Sequence, residues 1–220
     1  MKYYKALLFG SIGSIVETSE IQRKSFNKAF KQYGLDWNWT KREYQRLLSK
    51  SGGKDRISRY AKKKKIEVNS VYLRNLKTKI FNNYLKKNQI KLRPGVKNLI
   101  SLCKKENIKI AFVSSTSSNN INAILYCLRN SIKKRDFNFI GNAKLVKKFK
   151  PNPDIYLLAL KKLKLKANDC VAIEDSQESL NSARRAKIKC IIFPGKFHSS
   201  KKFTGAYKKV YQLNKNIILR

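Results

Sequence analysis

The sequence predicts an α/β protein built on a doubly wound parallel sheet, and three observations carry that expectation. Five short apolar runs, Ala6–Phe9, Ile108–Val113, Phe137–Ile140, Cys170–Ile173 and Cys190–Phe193, are strand-length and do not alternate with polar residues, as expected of strands covered on both faces. Stretches with helical periodicity separate the later runs. Between the first run and the second lies a long segment with helical spacing and no strand-like run.

Taken in order, Ala6–Phe9 opens the sheet. The segment 18–86 then places Ile21, Phe26, Ala29, Phe30 and Tyr33, next Leu47 and Leu48, then Val71, Leu73, Ile80, Phe81 and Tyr84 at helical intervals. This divides the chain into a core of residues 1–17 and 87–220 and a helical insertion of residues 18–86. Trp37, Trp39 and Tyr44 read as the core of the insertion rather than a base-stacking platform. After re-entry, helix Val96–Lys105 follows Pro94-Gly95, and helix Asn119–Arg129 follows a Ser/Thr cluster suited to N-capping. Helix Asp154–Leu163 follows Lys150-Pro151-Asn152-Pro153, with Pro153 expected at the first helical position. Helix Ser176–Ala186 follows Glu174-Asp175.

At 220 residues and 42% hydrophobic content, the chain buries a full core without disulfide staples. The formal net charge is +38, from 51 basic and 13 acidic residues. Two readings of that charge stand. With 39 Lys against 12 Arg, 20 Asn and 21 Ile, the composition follows A/T-rich codons, and the lysines are spread along the chain, with one dense run at Lys62–Lys65. That is compositional drift, with non-specific polyanion binding as a side effect. The other reading is a nucleic-acid-associated protein, for which a clustered basic surface is the expected mark. No run approaches the length of a membrane span. The opening residues do not resemble a secretory signal or a transit peptide. Cys103, Cys127, Cys170 and Cys190 lack metal-ligand spacing, and Cys170 and Cys190 read as buried thiols. His198 has no evident partner and reads as a surface residue. A reducing intracellular compartment, cytoplasm or plastid stroma, and a monomer are expected.

In an open α/β sheet the site lies beyond the carboxyl ends of the strands. Those ends carry Gly10–Ser14, Ser114-Ser115-Thr116, Lys150 and Glu174-Asp175. Hydroxyls and a lysine suit phosphate; adjacent acids suit a hard cation.

These motifs resemble the haloacid dehalogenase superfamily, and within it the CbbY-like sugar-phosphate phosphatases and related β-phosphoglucomutases. The resemblance rests on Val113-Ser114-Ser115, Lys150-Pro151-Asn152-Pro153-Asp154-Ile155-Tyr156, Val171-Ala172-Ile173-Glu174-Asp175-Ser176, the re-entry Leu92-Arg93-Pro94-Gly95-Val96, the loop Ser51-Gly52-Gly53-Lys54-Asp55-Arg56 and Phe203-Thr204-Gly205-Ala206. It implies a Rossmann-like core with a helical cap after strand 1. It also implies Ser114 and Lys150 as catalytic groups on the transferring phosphate, with Ser14, Ser115 and Thr116 as further contacts. Lys54 and Arg56 are implied as substrate contacts, and Glu174 and Asp175 as magnesium ligands. The implied ligand is a small phosphorylated sugar, such as xylulose 1,5-bisphosphate.

The first motif departs from the pattern Phe-Asp-x-Asp-Gly-Thr-Leu. Here it reads Phe9-Gly10-Ser11-Ile12-Gly13-Ser14-Ile15, so Gly10 stands at the nucleophile and Ile12 at the acid/base position. Neither residue can attack phosphorus, ligate a cation through its side chain or exchange a proton. Loss of the acid/base alone forfeits about 10² to 10⁴ in rate, and loss of the nucleophile removes the covalent route. The expectation is a site that holds phosphate and cleaves it poorly, with magnesium weakly held. The alternatives are an active magnesium-dependent phosphatase and the basic nucleic-acid-associated protein.

Overall fold

The computed structural model describes residues 2–49, 52–87, 90–198 and 202–220. Ser51, at the head of the Gly-Gly loop, lies outside them. The chain divides into two compact units, Met1–Glu17 with Ile90–Arg220, and Thr18–Gln89.

The larger unit is a parallel sheet. Its strands are β1 (Ala6–Phe9), β2 (Lys109–Val113), β3 (Phe139–Gly141), β4 (Cys170–Glu174), β5 (Lys189–Ile192) and β6 (Lys208–Lys209), in the order β3-β2-β1-β4-β5-β6. β1 is central, with Leu8 level with Ala111 on one side and Ala172 on the other. All four residues of β1 and all five of β4 are buried, which is why these runs show no polar alternation. Ala6, Leu8, Ala111, Val113, Cys170, Ala172, Cys190 and Ile192 form one face. It packs against α7 (Asp154–Leu163) and α8 (Gln177–Arg185) through Ile155, Tyr156, Ala159, Leu180 and Ala183. The alternate residues Leu7, Phe9, Ile110, Phe112, Val171 and Ile173 are equally buried, on the opposite face, where α5 (Val96–Lys105) contacts β2. α6 (Ser118–Cys127) follows β2, with Ser117 Oγ accepting from Asn120 N at 3.4 Å. The fold is the expected doubly wound α/β sheet.

Three local expectations are corrected. The third run starts at Phe139, not Phe137. A 3-10 turn at Lys134–Asp136 precedes it, and Phe137 faces inward against the Phe112 ring, 6.0 Å between centroids. Pro153 sits at the N-cap, one residue before the helix. His198 is buried, 8% exposed, and its amide donates to Gly195 O at 2.8 Å. β6 was not anticipated, because two exposed lysines carry no strand pattern.

The smaller unit is helical: α1 (Ser19–Gln32), α2 (Lys41–Leu47), α3 (Gly53–Lys64) and α4 (Ser70–Lys87). Its centre is aromatic. The Trp39 ring lies 4.7 Å from Phe30 and 4.8 Å from Phe26, and Trp37 lies 5.0 Å from Tyr60. Arg23 ties α1 to this cluster by donating to Trp39 O at 2.6 Å while pairing with Glu20. No helix among the described residues is long and apolar enough to cross a membrane.

Candidate functional site

The ends of β1 and β4 converge because the strands are neighbours in register, Phe9 beside Ile173, and Gly10 N donates to Ile173 O at 2.9 Å. Lys150 reaches this point from the loop after β3. Its ammonium donates to Gly10 O at 2.5 Å and pairs with Glu174 Oε1. Tyr156, on the first turn of α7, donates its hydroxyl to the same Glu174 Oε1 at 2.6 Å. Lys150, Glu174 and Tyr156 are 8%, 0% and 0% exposed. Burial pushes the Glu174 carboxyl up against the opposing pull of Lys150. The Tyr156 hydroxyl is raised well above its ordinary value, first by burial and then by the charge of Glu174.

Gly10 is what admits this cluster. A Cβ there would lie 2.0 Å from Glu174 Oε1 and 2.1 Å from the Tyr156 hydroxyl, so any side chain requires both to move. Gly13 plays the same part for the next acid: its absent Cβ would lie 1.7 Å from Asp175 Oδ2. Between these glycines the loop forms a 3-10 turn, Ile12–Ser14, capped by Ser11. Ser14 is buried and spends its hydroxyl on Ser11 O at 2.6 Å. Ile12 is half-buried.

At the end of β2, Ser114 is buried and its Oγ accepts from Thr116 N at 3.2 Å. Thr116 Oγ1 accepts from Asn120 Nδ2 at 3.2 Å. Ser115 Oγ, Asn120 Oδ1 and Glu174 Oε2 are buried with no hydrogen-bond partner among the described residues. Unpaired buried groups of this kind are costly; Ser115 and Glu174 stand at strand ends and Asn120 on the first turn of α6. Sequence reasoning missed Tyr156 and Asn120. No sequence signal singled out Tyr156, since a tyrosine on the buried face of a helix reads as ordinary core.

Arg93 was also missed as an organiser. It donates to the carbonyls of Gly13, Phe193 and Pro194, each at 2.6 Å, and stacks 3.3 Å from the Phe193 ring centroid. It thereby joins the loop after β1 to the segment after β5. Glu17 accepts from Lys196 N at 2.7 Å, beside Gly195.

In the helical unit Lys54 is exposed on the first turn of α3. Arg56 is 7% exposed; its Nε donates to Leu47 O at 3.0 Å, and its guanidinium lies 5.6 Å from the Tyr44 ring centroid and 5.9 Å from that of Phe26.

The donor set does not suit magnesium, which takes six oxygens in near-octahedral geometry. Gly10 supplies no carboxylate, and Glu174 Oε1 already holds an ammonium and a phenol. No three of Asp, Glu, His or Cys gather among the described residues. Asp175, which follows Glu174 and packs against Gly13, takes no part in the buried Lys150–Glu174–Tyr156 cluster.

The sequence profile of haloacid dehalogenase-like hydrolases matches residues 13–193. Protein CbbY of Cereibacter sphaeroides is 35% identical over 205 residues, covering 92% of this chain and 89% of that protein. A CBBY-like protein of Arabidopsis thaliana is 32% identical, covering 91% of this chain and 66% of its own length. The crystal structure of CbbY from Rhodobacter sphaeroides in complex with phosphate superposes with a TM-score of 0.87 at 34% identity, covering 94% of this chain and 93% of that one. A mutant of the same protein, solved with xylulose-(1,5)-bisphosphate, superposes equally well.

Proposed function

The chain belongs to the haloacid dehalogenase-like hydrolase family, and we propose that it is a CbbY-type member that binds a phosphorylated sugar without turning it over efficiently. The observation that carries this reading is the occupied space at Gly10, where Glu174 and Tyr156 fill the volume a nucleophile would need. A glycine supplies no attacking oxygen, and Ile12 supplies no proton to a leaving group. Lys150, Ser114, Ser115, Thr116 and the loop at Ser14 supply donors, so an incoming phosphate would replace the Glu174 carboxylate on Lys150. In the helical unit, Lys54 and Arg56 are kept as candidate substrate contacts on the family resemblance; Arg56 is braced by Leu47 O and two rings. The ligand class is supported by relatives crystallised with phosphate and with xylulose-(1,5)-bisphosphate. A reducing compartment, cytoplasm or plastid stroma, is the location that fits this reading, with four cysteines outside any disulfide and a CBBY-like relative in a plant.

The test is phosphate release from a panel of sugar phosphates and bisphosphates, xylulose 1,5-bisphosphate included, with and without magnesium. The natural chain is compared with Gly10→Asp/Ile12→Asp. Turnover in the restored chain alone is the expected result, since a new aspartate can take Lys150 and release Glu174. Comparable turnover by the natural chain, abolished in Asp175→Ala, would instead establish the second reading. That reading is an active magnesium-dependent phosphatase, and the bisphosphate-bound relative favours it.

A further inference from the structure

The outer edge of the sheet carries a pattern that the phosphate site does not use. Among the described residues β6 ends the sheet and pairs with β5 alone. Tyr207 and Tyr211 flank it and are 59% and 61% exposed. Tyr207 and Tyr211 lie in the bends on either side of this two-residue strand. Each ring has an ammonium against it. Lys189 Nζ lies 4.8 Å from the Tyr207 centroid, and Lys209 Nζ lies 5.3 Å from that of Tyr211 and 5.6 Å from that of Phe203. Lys208 is exposed on the same strand, on the face opposite Lys209. Beyond Tyr211 opens a cleft of about 420 Å³ whose lining includes Lys91, Lys196, Leu92 and Pro94, with Glu17 as its acid.

Lysines on an edge strand guard it against pairing with other chains. That explains Lys208 and Lys209, but not two large exposed rings beside them, which work against solubility. Flat rings alternating with ammonium groups are instead the elements of a platform for unpaired bases: the ring stacks on a base and the cation meets the adjoining phosphate. The net charge of +38 attracts any polyanion. The rings are what would distinguish a strand with free bases from a duplex or a polysulfate.

We propose that the β5–β6 edge binds single-stranded nucleic acid, with bases stacked on Tyr207 and Tyr211 and phosphates held by the ammonium groups beside those rings, Lys189 and Lys209. Fluorescence anisotropy of the full chain with a labelled oligothymidylate of about 15 nucleotides tests it. The natural chain is compared with Tyr207→Ala/Tyr211→Ala and Tyr207→Phe/Tyr211→Phe, using heparin as the polyanion without bases. Affinity for the oligonucleotide falls as salt rises. It drops roughly tenfold or more in the alanine pair and is retained in the phenylalanine pair, while heparin binding is unchanged in both. The proposal is overturned by equal oligonucleotide affinity in the natural and alanine chains, or by an equal loss for heparin. It is likewise overturned by a duplex of the same length bound as tightly as the single strand, or by no binding at about 0.15 M salt.

Discussion

The hydroxyl of Tyr156 donates to Glu174 Oε1 across 2.6 Å, and the pair occupies the space in which a side chain on Gly10 would begin. A buried phenol needs an acceptor and a buried carboxylate needs donors. With Lys150 on the same oxygen, each group answers the other's requirement. The space beside Gly10 is therefore a filled cluster and not a hole.

Gly10→Ala is expected to destabilise the chain by about 1–3 kcal/mol, the usual cost of overpacking a filled interior. Tyr156→Phe removes the oxygen 2.1 Å from the new Cβ and so is expected to recover part of that loss. Urea unfolding of the two single variants and the double variant measures the coupling. Strict additivity would show that the Tyr156 hydroxyl does not limit the space at Gly10.

Lys150→Met strands a fully buried Glu174 carboxylate, and removing one partner of a buried ion pair costs about 3–5 kcal/mol. Lys150→Met/Glu174→Gln removes both charges and is expected to regain most of it. The same unfolding experiment reads this. The double variant is also expected to lose inorganic phosphate binding by calorimetry while remaining folded, which separates the stability role of the pair from its ligand role.

How much of this was legible in the sequence depends on what each residue packs against. β1 and β4 were legible because burial on both faces demands unbroken apolar runs. β6 was not, because its two lysines are held by backbone pairing to β5 and bury nothing. Phe137 extended the third run because an inward-facing ring looks the same in sequence whether a strand or a 3-10 turn presents it. The positions of Ser114 and Glu174 at strand ends, and of Lys150 beyond the third strand and its loop, were legible from the apolar runs that precede them. What fills the space beside Gly10 could not be read, since Tyr156 in an amphipathic helix is indistinguishable from ordinary core until its hydroxyl is located.

Arg93→Ala is expected to loosen the loop after β1 without touching the sheet. Three carbonyls, of Gly13, Phe193 and Pro194, lose a charged donor at once. Hydrogen bonds to a charged group contribute about 1.5–3 kcal/mol each when deleted singly. Lysine cannot reproduce the planar fork, so Arg93→Lys is expected to fall between alanine and the natural residue. Hydrogen exchange at the Gly10–Ser14 amides measures it, with the amides of β4 as the unaffected reference.

The helical unit contains a second buried cation whose behaviour with pH has a definite sign. Lys77 is 7% exposed, accepted by Gln22 Oε1 and enclosed by the Phe26 and Phe81 rings at 4.8 and 4.9 Å. Burial, aided by the charges of Arg56 and Arg74, lowers its pKa from 10.5 to about 7. Below pH 7 the amine is protonated in both folded and unfolded chains, and the fold bears the cost of a buried charge. Between pH 7 and about 10 the unfolded chain binds the extra proton, so stability rises with pH, by at most about 1.4 kcal/mol per unit. Lys77→Met is accordingly expected to be more stable than the natural chain at pH 6, with the difference shrinking as pH climbs to 9. Both tryptophans, Trp37 and Trp39, lie in this unit, so urea unfolding followed by tryptophan fluorescence reports it directly. A difference between the two chains that stays constant from pH 6 to 9 would show that Lys77 keeps its charge throughout.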